Sequence, residues 1–83
     1  MYHIIFSKKA ETFLDKLNNS ERERIIRALE RIRIRPEHFL EKRVGEEGYK
    51  FRVGDYRLFI DLNKNDLLIL VVKIGYRKNV YKH

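Results

Sequence analysis

Tyr49-Lys50-Phe51-Arg52-Val53-Gly54-Asp55-Tyr56-Arg57-Leu58-Phe59-Ile60-Asp61-Leu62, residues 49–62, alternates between apolar and polar around a glycine-first dipeptide. A period of two marks strands, and a two-residue Gly-Asp loop suits a tight hairpin turn. That loop fixes the register: Val53 opposite Tyr56, Arg52 opposite Arg57, Lys50 opposite Phe59. Residues directly opposite share a face, as do alternate residues along a strand. Lys50, Arg52 and Arg57 therefore project from one side of the hairpin. Phe51, Val53, Tyr56, Leu58, Ile60 and Leu62 project from the other, which is the expected core. Arg52 opposite Arg57 sets like charges across a ladder, an arrangement that repels unless an anion joins it or the long side chains splay into solvent.

Toward the C-terminus, Asn63 to Asp66 reads as a second turn and Leu67–Ile74 as a third strand. This strand is apolar on both faces, as an interior strand is, and Gly75 is expected to end it. Arg77 follows just past that end, next to the hairpin, where it can converge on the Lys50, Arg52 and Arg57 surface. Phe59, Leu68, Leu70 and Val72 fall on the same face as the cations. They are covered either by the chain's own long loop or termini, or by a partner protein.

Toward the N-terminus, Pro36 to Gly48 is a charged connection long enough to carry function or to hide a short strand. Before it, Ile25, Ile26, Leu29 and Ile32 form a helical stripe that Pro36 stops. Ser20-Glu21-Arg22-Glu23 has the pattern of a capping box at its start. Ala10, Phe13, Leu14 and Leu17 give an earlier helix with Ser7 at its cap, and Asn18-Asn19 joins the two into a helical hairpin. Tyr2–Phe6 reads as an opening strand. Arg22, Arg24, Arg27, Arg31, Arg33 and Arg35 point in several directions and alternate with Glu21, Glu23 and Glu30, the pattern of a salt-bridged, solvated helix face. The expected fold is thus α+β over one domain, residues 1–83: an N-terminal strand, a helical hairpin and a three-stranded antiparallel meander, with the helices packed on one face of the sheet.

Length and charge limit what such a domain does. Eighty-three residues support one modest core. The absence of cysteine excludes disulfides and thiolate metal sites and fits a reducing cytoplasm. No signal peptide is evident, and Leu67 to Val72 is too short to span a bilayer, so a soluble protein with no membrane partner is expected. The 19 Lys plus Arg against 12 Asp plus Glu give a net charge of +7. Residues 1–48 hold eleven bases and nine acids, whereas residues 49–83 hold eight bases and three acids. The excess lies in the sheet, a field that favours polyanions, above all nucleic acid. No phosphate-binding glycine loop, dinucleotide fingerprint or clustered carboxylates is present, and Asp55, Asp61 and Asp66 are too dispersed for a two-metal nuclease.

The stretches Tyr49 to Arg57 ("Y-K-F-R-V-G-D-Y-R") and Val72 to Arg77 ("V-K-I-G-Y-R"), with Tyr81, resemble the RelE/ParE superfamily of toxins from type II toxin–antitoxin systems. The likeness covers essentially the whole chain. It implies a cofactor-free, metal-independent ribonuclease that enters the ribosomal A site and cuts mRNA through attack by the RNA's own 2′-hydroxyl, inhibiting translation. It also implies neutralisation by a RelB-like antitoxin. Carried over by position, Arg57 and Arg77 match the phosphate-binding and transition-state arginines, Lys50 and Arg52 the basic strand residues, and Tyr81 the C-terminal tyrosine. Arginine stays charged and serves as an electrostatic clamp, which leaves proton transfer to Lys50 or Tyr81. Tyr81 aligns only with a small gap, and a C-terminal helix found in some relatives is expected to be missing. His3, His38 and His83 are alternative acid–base groups, of which His83 is nearest the site in sequence. A ParE-like toxin that poisons DNA gyrase without nuclease chemistry, and an inactive RNA-binding relative, are the alternatives the same resemblance leaves open.

Overall fold

The computed structural model describes residues 1–77; Lys78 to His83, among them Tyr81 and His83, lie outside the described residues. The chain runs β1 (His3–Phe6), α1 (Lys8–Asp15), α2 (Asn19–Arg31), β2 (Glu41–Lys42), β3 (Tyr49–Val53), β4 (Tyr56–Asn63) and β5 (Leu68–Tyr76), with a 3₁₀ turn at Pro36–His38. The strands form one sheet in the order β1-β5-β4-β3-β2. The meander β3–β4–β5 is as expected. The opening strand adds to its far edge parallel to β5, after the helical hairpin has crossed one face. The long connection does hide a short strand, β2, which pairs antiparallel with β3.

The two-residue turn sets the predicted register, with Val53 opposite Tyr56, Arg52 opposite Arg57 and Lys50 opposite Phe59. Gly54 adopts φ +58° there, a conformation that side chains with a Cβ resist. A Cβ at Gly54 would also sit 2.7 Å from the Arg24 guanidinium, so the glycine lets α2 lay an arginine over the turn. Strand β5 runs to Tyr76, two residues past the expected Ile74, since Gly75 pairs with Arg57 and Tyr76 with Tyr56; a β-bulge lies opposite Phe59 and Ile60. Ile60 pairs with Val71 and Phe59 with Lys73, leaving Val72 as the extra residue. The bulge turns Ile74 into the core opposite Leu58 and sets Gly75 opposite Arg57.

Alternation then sorts the side chains. Val53, Tyr56, Leu58, Ile60, Ile69, Val71 and Ile74 are buried under Ala10, Leu14, Ile25, Leu29 and Ile32 from the two helices. Fully burying an aliphatic side chain of this kind contributes about 1.5–3 kcal/mol, so the stripes α1 and α2 present to the sheet outweigh helix propensity in holding them. Ser7 caps α1 as expected, accepting from the Ala10 amide at 3.1 Å. The cap of α2 is Asn18 rather than Ser20: its Oδ1 accepts from the Glu21 amide at 2.9 Å, and Ser20 donates its hydroxyl to the same oxygen. Asparagine reaches its own N3 amide as well as serine does, so the capping-box pattern two residues later is redundant.

The arginines of α2 act mostly within the fold. Arg22 donates to the Leu14 and Leu17 carbonyls at 3.0 and 2.8 Å, closing the C-terminal end of α1 with a cation where the helix dipole is negative. Arg27 pairs with Glu23, and Arg33 donates to the Tyr2 carbonyl at 2.8 Å, tying β1 to the end of the hairpin.

Candidate functional site

The sheet face turned away from the helices holds the cations. Lys50 and Arg52 alternate along β3 and Arg57 faces Arg52 from β4, so one pleat aims all three outward. They line a single groove of about 340 Å³ with Phe39, Glu41 and Phe51. Arg52 also donates from Nε to the Gly54 carbonyl at 3.4 Å, leaning toward the turn.

Arg77 does not line that groove. Its exposed side chain starts beside the turn of the hairpin, where its amide donates to the Asp55 carbonyl at 2.8 Å and fixes its backbone to the Gly54–Asp55 corner. The glycine at position 75, opposite Arg57, leaves the sheet surface between Arg57 and Arg77 free of a side chain. Three of the expected site residues are thus brought together, the fourth is tied to the same turn, and the fifth, Tyr81, lies outside the described residues.

Two groove residues come from the long connection and were not anticipated. Phe39 follows the 3₁₀ turn and keeps 54% of its surface exposed, an aromatic ring beside three cations. Glu41, in β2, stands opposite Lys50, and its carboxylate lies 3.2 Å from the Lys50 ammonium. No periodicity runs through Pro36 to Gly48 to mark the two-residue strand that lays these side chains along the cationic rank.

The turn is braced from the helix side. Phe13, Tyr56 and Tyr76 form an aromatic cluster, with ring centroids 6.0, 5.4 and 5.3 Å apart. Tyr56 donates its hydroxyl to Glu21 at 3.1 Å. Burial, and the hydrogen bond to the Glu21 carboxylate, push the Tyr56 phenol above its ordinary value. A tyrosine held neutral in this way serves as a brace rather than as a proton carrier.

The apolar members of the outer face are partly covered. The Arg43 guanidinium lies 4.6 Å from the Phe59 ring centroid and pairs with Glu46 at 2.6 Å, so the connection caps this phenylalanine. Val72 and Ile5 stay exposed, Ile5 next to half-buried Leu70 on the neighbouring strand. The chain's own loop covers one end of this strip and leaves the other open.

Among the described residues no group of three or more His, Cys, Asp or Glu is placed to hold a metal ion, and no helix is long and apolar enough to cross a membrane. His3 faces outward on β1 and His38 sits in the 3₁₀ turn, neither lining the groove.

Comparison with known proteins agrees with the architecture. The family model for the ParE toxin of type II toxin–antitoxin systems (parDE) matches residues 4–81. Among solved structures, a chain of the archaeal RelE–RelB complex from Pyrococcus horikoshii is 24% identical, with TM-score 0.74, covering 92% of this chain and 94% of that one. A chain of the RelB–RelE antitoxin–toxin complex from Methanococcus jannaschii is 25% identical, with TM-score 0.70 and coverage of 95% and 96%. A chain of the intact E. coli RelBE toxin–antitoxin complex is 22% identical, with TM-score 0.77 and coverage of 92% and 96%. No curated protein matches the sequence.

Proposed function

This chain belongs to the ParE toxin family of type II toxin–antitoxin systems, and from that premise we propose that it is a RelE-like toxin, an endoribonuclease that cuts mRNA in the ribosomal A site and is neutralised by a RelB-like antitoxin. The observation that supports this reading is the groove in which Lys50, Arg52 and Arg57 converge beside an exposed aromatic ring. Attack of a 2′-hydroxyl on the adjacent phosphorus builds charge on the non-bridging oxygens, and fixed guanidinium donors stabilise that charge as an oxyanion hole does. Arg57 takes this role from the strand and Arg77 from just past the end of β5, and the resemblance assigns proton transfer to Lys50 or Tyr81. Phe39 supplies a face on which a base of the message stacks, an interaction worth about 1–3 kcal/mol per base. The open strip of Ile5, Leu70 and Val72 is where the antitoxin seats an apolar segment.

A second reading has an observation of its own, since the matching family model is that of ParE. A ParE-like chain would act on DNA gyrase through protein contacts, with no use for three cations sharing one groove. Incubation of the purified chain with translating ribosomes separates the two. New mRNA ends with a 2′,3′-cyclic phosphate, reduced about 10²–10³-fold in Arg57→Ala and in Arg77→Ala, are the expected outcome. Intact message together with stalled gyrase–DNA complexes would establish the ParE-like activity instead.

A further inference from the structure

We infer that Glu41 is the general base that removes the 2′-hydroxyl proton, an inference that rests on the nuclease reading above. The groove's chemistry is what singles it out. Of its described lining residues, Lys50, Arg52 and Arg57 are cations whose protonated heads have no lone pair, and Phe39 and Phe51 have no proton to exchange. Glu41 is the one side chain there that accepts a proton in its resting charge state. Its carboxylate lies 3.2 Å from the Lys50 ammonium. For Lys50 to act as base it would first have to give up its proton and, with it, the ion pair.

Placement agrees with chemistry. Pairing of β2 with β3 puts Glu41 directly opposite Lys50, so the carboxylate stands at the end of the row Glu41–Lys50–Phe59, next to the Arg52–Arg57 pair. A negative charge at this point weakens phosphate binding, which makes it a poor choice for a groove that only binds RNA. The side chain is 69% exposed, open to an incoming ribose. In the proposed step the 2′-oxygen loses its proton to Glu41 and forms a bond to phosphorus. The bond from phosphorus to the 5′-oxygen breaks, and that oxygen leaves with the electron pair and takes a proton from water. The products are a 2′,3′-cyclic phosphate and a 5′-hydroxyl, and Glu41 returns its proton to solvent.

Single-turnover cleavage of a defined mRNA on ribosomes with an empty A site, followed from pH 6 to 8.5, tests this. With the base supplied by the protein, the wild-type rate is not expected to track the hydroxide concentration. Glu41→Gln is expected to cut at least about 100-fold more slowly at pH 7, with a rate that climbs about tenfold per pH unit as hydroxide replaces the lost base. Its affinity for the programmed ribosome should hold or improve, since a negative charge is gone, so the loss falls on the chemical step. Lys50→Arg, which keeps the cation but not the ability to serve as base, is expected to cleave more slowly, because Lys50 also positions Glu41, but with the pH profile of the wild type. A Glu41→Gln protein that cleaves at the wild-type rate would overturn the assignment and leave the nuclease reading standing. So would a Lys50→Arg protein that is inactive beside an active Glu41→Gln. A wild-type chain that cuts no message on ribosomes overturns the nuclease reading itself, and the role of Glu41 with it.

Discussion

At the residue scale, Tyr56 shows how one side chain braces the site without taking part in it. Its ring packs between Phe13 and Tyr76, and its hydroxyl donates to Glu21 across 35 residues of sequence. Because the folded phenol is pushed above its ordinary value near 10, the unfolded chain releases this proton first as pH rises. Stability from Tyr56 is therefore complete below about pH 10 and declines as pH climbs toward the folded value. In Tyr56→Phe the ring stack remains and the titration vanishes. Urea denaturation should show a loss of about 1 kcal/mol at pH 7 and a shallower decline between pH 9.5 and 11 than wild type. An equally steep alkaline decline in the mutant would mean that other groups set it. The same residue scale explains what could be read in advance. Lys50, Arg52 and Arg57 were legible because two-residue turns admit one register, and register decides faces. Phe39 and Glu41 were not, since nothing in an aperiodic loop says which of its residues returns to the sheet.

At the scale of elements, the connection before β3 is what brings Phe39 and Glu41 to the groove, and Gly48 is its tightest point. The Arg43 amide donates to the Gly48 carbonyl at 3.2 Å, closing the loop that follows β2. Gly48 has φ +90°, and a Cβ there would lie 2.7 Å from Asp61 Oδ1 and 3.0 Å from the Ile60 carbonyl oxygen. The carboxylate can swing away, but the backbone oxygen of the central strand cannot. Gly45, three residues earlier, has φ +76° with open space around it. Both positions resist alanine through φ, at a cost of about 1 kcal/mol, and Gly48 adds the collision. Gly48→Ala is accordingly expected to lose about 2 kcal/mol in urea denaturation and Gly45→Ala about half of that, and equal losses would show that the contact with β4 does not constrain the loop. The bulge at Val72 belongs to this scale too. Within Leu-Leu-Ile-Leu-Val-Val an extra residue leaves no compositional mark, and Gly75, which reads as a strand terminator, instead pairs opposite Arg57.

At the scale of the whole molecule, a net charge of +7 invites the view that the entire surface attracts RNA. The structure divides that charge. Arg22 and Arg33 donate to backbone carbonyls, Arg27 pairs with Glu23 and Arg43 with Glu46, whereas Lys50, Arg52 and Arg57 share one groove on the outer face of β3 and β4. Counterion release turns the distinction into a number. If all seven excess charges engaged a single strand, log K would fall against log salt with a slope of about −5, at about 0.7 per neutralised phosphate. If only the groove and Arg77 engage it, with Lys50 balanced by Glu41 and with Arg52, Arg57 and Arg77 each meeting one phosphate, the slope is about −2. Titration of a short single-stranded RNA between 50 and 200 mM salt reads this directly. Arg52→Ala should flatten the slope by about 0.7, whereas Arg27→Gln, on the helix side and already paired, should leave it in place. A steep slope that both substitutions reduce alike would mean that RNA is held by the diffuse field of the protein, and the groove would lose its claim to be where phosphate sits.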